Sequence, residues 1–333
     1  MLQNIAKRYK ENPMFYYAMS IVASWAGVGS LMNFRTIALE SGAVPAIIWA
    51  VFNSFACILF GLLAAHLPYI RKIMQTKAMS YFIGFLTVFQ TWTQMSGIRE
   101  IFADTPIGST GGTIIAYASC ALFMIVLLKN GMIRNVLSDD LSWVIVYGLL
   151  AATVAESFIY TKGDLNTVAT GLNADGIKNG IVKGLLLLPG PFTYPYYYTL
   201  FGYNEKNDDG TNTVDVKKSF IVAGIMFGVY MILAAVLTWV KFSPALNVIK
   251  AVLITIIALS SVSTYLYSEY IVFGKKAGAA IDLLTIGTWQ FLIPLGVMGI
   301  WTLMSEIRVY IVLAVILVAT FLKWREHRRA VSA

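Results

Sequence analysis

Residues 184–202, GLLLLPGPFTYPYYYTLFG, set three prolines and a glycine into the middle of an otherwise apolar stretch of membrane-spanning length. In lipid, a helix must satisfy each of its own backbone N–H and C=O groups. Pro189, Pro191 and Pro195 each lack the N–H and clash with the preceding turn. A helix here is therefore expected to open near its middle. Open backbone at membrane depth persists only where protein buries it or where it lines a polar cavity.

Composition fits that setting. Hydrophobic residues make up 58% of the 333 and charged residues 13%, with mean hydropathy +0.71. A span takes roughly 20 mainly apolar residues, and ten such stretches are legible: 14–32, 45–70, 81–98, 111–128, 141–160, 177–202, 219–240, 245–273, 279–303 and 307–324. The predicted fold class is an all-α integral membrane protein with ten transmembrane helices, and no stretch is left for a separate soluble domain. The basic segment 1–13 precedes an apolar stretch with no small-residue cleavage site after it, so the first span reads as a retained helix. Cys57 and Cys120 both fall inside spans and read as packing residues, neither a disulfide framework nor a metal site.

The net charge of +8 raises the question of nucleic acid, but its distribution argues for topology instead. With a cytoplasmic N-terminus, 17 of the 25 basic residues, from Lys7, Arg8 and Lys10 to Arg325, Arg328 and Arg329, fall on the inner side. By the positive-inside rule both termini are expected in the cytoplasm, as for a bacterial inner-membrane protein, with no nucleic-acid partner. The longer loops, 161–176 outside and 203–216 inside, are polar and rich in Gly, Asn and Asp.

A second interruption lies in the first span. In SWAGVGSLMNF, Gly27 and Gly29 flank one valine and lead into Ser30 and Asn33. Each glycine weakens a helix by about 1 kcal/mol relative to alanine, so local unwinding competes with close small-residue packing. The interrupted first and sixth spans open two five-span halves, 14–160 and 177–324, and five being odd, the halves have opposite orientation. Interruptions at corresponding positions of two halves point to a secondary transporter, with its site at the breaks.

Three stretches then carry a resemblance: SWAGVGSLMNF followed by GAVPAIIWAVFNSFACILFG, then LPGPFTYPYYY, then IALSSVSTYLYSEY. In order and spacing they resemble the leucine-transporter-type, five-plus-five inverted-repeat transporters, most closely the sodium:solute symporters. The resemblance covers the ten-span core. It implies a sodium ion between the first and eighth spans, held by the hydroxyls of Ser260 and Ser261 and the carbonyls of Ile257, Ala23 and Ala26. Hard cations prefer oxygen ligands, and four hydroxyl residues in five positions (Ser260, Ser261, Ser263, Thr264) exceed what packing needs. It also suggests gates, Arg35 with Glu306 outside and Arg8 with Glu269 inside.

Other candidates come from the residues themselves. Glu156, in ATVAESFIY, is the most membrane-embedded carboxylate by sequence; it either tunes the cation site, takes up a proton, or reaches the outer interface. Gln90 and Gln94 in FQTWTQMS share a helix face and suit either a polar solute or interhelical hydrogen bonds. Phe192, Thr193 and Tyr194 lie in the proline break, and Gly27, Gly29 and Ser30 in the glycine break. Together these eight make the expected solute site. No acidic residue lies in either break, which argues against a strongly cationic solute. His66 and His327 have no ligand-spaced partners, so metalloenzyme and serine-hydrolase readings are disfavoured. The expected function is uptake of a small polar solute coupled to a cation, sodium first, by alternating access and without organic cofactor. Proton-coupled or uncoupled carriage, a channel and a non-transporting receptor are the alternatives.

Overall fold

A computed structural model describes residues 13–103, 105–160, 169–201, 215–239, 244–292, 294 and 297–332. Residues 1–12, with the proposed gate residue Arg8, the first half of the outer loop 161–176 and most of the inner loop 203–216 lie outside the described residues. Among the described residues every regular element is helical: α1 (Pro13–Trp25), α2 (Val28–Ser41), α3 (Ala43–His66), α4 (Pro68–Met74), α5 (Lys77–Ala103), α6 (Gly108–Tyr160), α7 (Ala174–Leu185), a 3₁₀ turn (Gly190–Thr193), α8 (Pro195–Leu200), α9 (Val216–Trp239), α10 (Pro244–Phe273), α11 (Lys275–Leu292) and α12 (Val297–Ser332). Four of these begin on a proline (Pro13, Pro68, Pro195, Pro244), where the missing N–H would have had no partner anyway.

Among the described residues, five helical segments are long and apolar enough to cross a membrane: Ala43–His66, Gly108–Ile125, Val216–Ala235, Asn247–Phe273 and Leu303–Ala330. The bent pair α1–α2 makes a sixth if it is one span. Large apolar side chains stand exposed at helical spacing on their outer faces, such as Ile47, Val51 and Phe55 on α3 and Leu313, Leu317 and Phe321 on α12. Those faces fit lipid, and the protein is an all-α, membrane-embedded molecule.

The ten-stretch hydropathy reading differs from the structure in several places, among them Leu67, where the expected span 45–70 is split between α3 and α4. Residues 108–160 form one continuous helix of 53 residues, about 80 Å if straight, where two spans and a connection were expected. No proline falls between 107 and 188, and Gly131 is the one glycine in the polar stretch 129–140, so nothing there terminates a helix. The boundary expected at 304–306 falls instead at Pro294, between α11 and α12. The expected tail 325–333 continues α12 to Ser332, since its charged residues are good helix formers with no breaker among them.

Helix α5 is not apolar enough to count as a span by composition, yet it lies at the centre. Its Thr87, Gln90, Thr91 and Gln94 are all buried, and a helix enclosed by other helices can carry polar groups that lipid would not accept. Two apolar cores form on either side of α10. Ala251, Ile254, Ala258 and Val262 face one, shared with α5, the first half of α6 and α11. Leu253, Ile257 and Tyr265 face the other, shared with α1, α3, α8 and α9. One helix thus forms the wall between two packed units.

Candidate functional site

The site forms where the first helix stops. α1 ends at Trp25, α2 resumes at Val28, and the two are bent by 59°. Gln94 of α5 caps the restart: its Oε1 accepts the Val28 N–H at 2.7 Å. A Cβ on Gly27 would stand 2.5 Å from the Gln94 amide nitrogen, so the glycine makes room for the cap. An uncapped, buried helix N-terminus is costly; Gly27 and Gln94 act as one device.

On the other side of the break, the carbonyl end of α1 meets the hydroxyls of α10. Ala23 O accepts hydrogen bonds from Ser261 Oγ at 3.0 Å and Ser260 Oγ at 3.3 Å. Ser260 Oγ also lies 3.1 Å from Ile257 O, and Ser24 Oγ lies 3.0 Å from Thr264 Oγ1. Four of the five oxygens expected to gather, those of Ala23, Ile257, Ser260 and Ser261, are therefore in one cluster. Ala26 is buried in the break, but no hydrogen bond joins its carbonyl to the serines. Spacings near 3 Å suit oxygens that close around a hard cation at roughly 2.3–2.6 Å, and a helix C-terminus carries partial negative charge. Trp143 of α6 donates its indole N–H to Ser260 Oγ at 3.0 Å, a contact the sequence reading did not anticipate.

Beside the break lies a cavity of about 130 Å³. Six of the eight expected solute residues line it: Gly27, Gly29, Ser30, Gln90, Gln94 and Tyr194. Phe192 and Thr193 do not. The Phe192 ring packs edge-on against Phe60 at 5.0 Å between centroids, and Thr193 Oγ1 donates to Gly190 O at 2.8 Å. The proline break closes on itself through short-range bonds, among them Gly190 N to Leu187 O and Phe192 N to Pro189 O. It reaches the cavity through Leu187 and Tyr194. The tyrosines that follow pack onto α1: Tyr196 OH pairs with Ser20 Oγ at 2.6 Å, and Tyr197 OH donates to Ile21 O at 3.1 Å.

Eight of the lining residues were not in the expected set, among them Arg308, Asn53, Tyr265 and Trp49. Arg308, in α12, is 7% exposed. The signal was present, since a charge inside an apolar stretch is a functional candidate by default, and Arg308 is the second residue of the expected span 307–324. Tyr265 OH lies 3.1 Å from Tyr194 OH, which in turn accepts from Gln90 Nε2 at 3.3 Å.

The remaining candidates stand apart. Glu156 is half-buried, 13 residues or about 20 Å along α6 from Trp143, the residue that touches the serine cluster. Arg35 and Glu306 are both exposed and no ion pair joins them. Glu269 is not at a rim; it is buried and accepts a hydrogen bond from Thr87. Asp282 of α11 lies within electrostatic reach of it and is buried as well. Among the described residues no ion pair involves either carboxylate. No protein-family model matches this chain, and no curated protein matches it either.

Proposed function

We propose that the protein is a secondary transporter that couples a cation gradient, sodium first, to the movement of a small polar solute by alternating access. The observation that carries this reading is the meeting of the α1 carbonyl end with Ser260 and Ser261 at one side of the break, next to a polar cavity at the other. A cation bound there ties α1 to α10, and solute in the cavity contacts α1–α2 and α5, so occupancy of one site alters the other. In this reading the chain follows the leucine-transporter-type plan of two inverted five-span halves, the sodium:solute symporters being the nearest likeness. That plan requires the chain to reverse between the two apolar windows of α6, Gly108–Ile125 and Ser142–Glu156, a turn that the continuous helix 108–160 does not contain. The unit containing α1, α3, α8 and α9 rocks against the one containing α5 and α11, both termini facing the cytoplasm.

A second reading, coupling to protons, rests on Glu269 and Asp282, two carboxylates buried on adjacent helices. The deciding experiment is solute uptake into proteoliposomes under inward sodium, potassium or proton gradients. Saturable uptake driven by sodium supports the first reading and proton-driven uptake the second. Flux that never saturates points to a channel, and binding without flux to a receptor.

A further inference from the structure

Where α3 stops, the short helix α4 turns Ile70 and Met74 into the protein and leaves Pro68, Lys72 and the following Gln75 exposed. Between it and the C-terminal end of α8 lies a pocket of about 260 Å³. Among the described residues it is lined by Pro68, Arg71, Lys72, Gln75, Tyr198 and Phe201, two cations and no acid. The Arg71 guanidinium lies over the Phe201 ring, 4.9 Å from its centroid, and Lys72 Nζ lies 5.2 Å from that of Tyr69. No carboxylate among the described residues pairs with either cation. The nearby Glu326 accepts from Tyr69 OH at 3.3 Å instead. More positive charge gathers at His66, two residues upstream. Lys323 Nζ donates to its carbonyl at 2.6 Å, and Lys217 Nζ lies 3.4 Å from its Nε2. Charges of one sign around a cleft focus a field that draws in the opposite sign.

The depth of this pocket in the membrane follows from α12. Its exposed apolar stripe of Leu313, Leu317, Phe321 and Trp324 runs into Arg328, whose guanidinium lies 4.4 Å from the Trp324 ring centroid. Residues three or four apart share one helix face, and tryptophan with a flanking cation marks the headgroup level of a lipid-facing helix. At that level α12 meets the pocket's surroundings, through Lys323 to His66 and Glu326 to Tyr69. A planar guanidinium matches a phosphate with two parallel hydrogen bonds, and stacking on a ring holds it ready. A cavity of about 150 Å³ takes benzene, so this one takes a group of roughly ten heavy atoms, more than bare phosphate. We propose that this pocket binds the headgroup of an anionic phospholipid, of the size of phosphatidylglycerol. Its phosphodiester sits on Arg71 and Lys72 and its headgroup hydroxyls against Gln75. Binding here is independent of transport; only the choice of leaflet, the cytoplasmic one, rests on the orientation read from charge.

The test uses the full chain purified in dodecyl maltoside, with three probes: phosphatidylglycerol, phosphatidylcholine of the same acyl chains, and soluble glycerol 3-phosphate. Binding is read as a saturable rise in the unfolding midpoint, each variant against its own lipid-free value. Phosphatidylglycerol is expected to bind about tenfold more tightly than either of the others. Phosphatidylcholine would set its ammonium beside two cations, and glycerol 3-phosphate brings no acyl chains into the micelle. Arg71→Gln should weaken phosphatidylglycerol binding about tenfold or more, and Lys72→Gln by about the same, as befits lost hydrogen bonds to a charged group. Arg71→Lys should keep the preference for phosphatidylglycerol at reduced affinity, and it serves where Arg71→Gln fails to fold. Lys77→Gln removes an exposed cation two residues beyond Gln75 that does not line the pocket, and should weaken binding by about threefold at most, as a screened charge does. No saturable effect of phosphatidylglycerol, equal binding of the two lipids, or glycerol 3-phosphate binding as tightly as phosphatidylglycerol would overturn the proposal. So would unchanged affinity in Arg71→Gln, or a loss in Lys77→Gln as large as in Lys72→Gln, which would mean a diffuse basic surface and no site.

Discussion

The two breaks solve one problem with opposite chemistry. The glycine break spans two residues, Ala26 and Gly27, and borrows a partner from another helix, the Gln94 amide. It leaves polar groups on both sides, hydroxyls at the end of α1 and a cavity at the start of α2. The proline break runs from Leu186 to Tyr194 and needs no outside partner for most of its backbone, which turns tightly and bonds to itself. Aromatic rings fill the space around it: Phe60 alone meets Phe192, Tyr197, Tyr198, Phe201 and Phe220. An interruption rich in prolines is thus the packed one, and the shorter glycine interruption is the chemical one. The two touch at Gly190, where a Cβ would fall 2.1 Å from the Trp25 ring.

This contrast can be broken in several ways. Phe60→Ala should have the largest effect on folding, about 3–5 kcal/mol for a fully buried aromatic, measured by denaturant or thermal unfolding. It should leave the sodium response of the surviving folded protein intact, and loss of that response at modest destabilisation would erase the division between the breaks. Gly190→Ala should follow, costing about 1–3 kcal/mol by overpacking against Trp25, and, unlike Phe60→Ala, it should disturb both breaks. A variant as stable as wild type would mean that the breaks do not press on each other. Gln94→Leu should cost about 1–3 kcal/mol by stranding the Val28 N–H, with a smaller loss in Gln94→Glu, which keeps an acceptor. Equal losses in the two would separate Gln94 from the cap. Ser260→Ala with Ser261→Ala loses the bonds to Ala23 O, Ile257 O and the Trp143 indole, at roughly 1 kcal/mol each, so its cost to folding is of the same order as that of the Gln94 change, although its effect on function should be the greatest.

What was legible from sequence follows the same division. Gly27 and Gly29 identified the first break because their cost to a helix is local, and the density of hydroxyls at 260–264 stood out within one helical turn. Six of the expected cavity residues came from such local reasoning. That Gln94 is a helix cap was not legible, because the device joins positions 66 residues apart and exists only once α5 packs beside the break. Phe192 and Thr193 were misjudged as cavity residues for a related reason: proline reports that an α-helix stops, but not whether 3₁₀ turns and aromatic packing close the gap behind it. Arg308 is visible in the sequence as a charge inside an apolar stretch. The polar stretch 129–140 resembled a loop by charge, while its lack of breakers let α6 run through.

The central claim is that the hydroxyls of Ser260 and Ser261 and the Ala23 carbonyl hold a cation that ties the broken helix to α10. The most direct measurement is the unfolding midpoint of the purified protein as sodium replaces potassium at constant ionic strength, for wild type and for the Ser260→Ala, Ser261→Ala double variant. Ligand that binds the folded state alone stabilises it by mass action, by about 2.7 kcal/mol at a hundredfold excess over Kd. The account predicts a saturable, sodium-specific rise in wild type, its loss in the double variant, and, by linkage, a steeper rise when solute is present. A wild-type midpoint indifferent to the exchange, or a double variant that keeps the full sodium response, would contradict it.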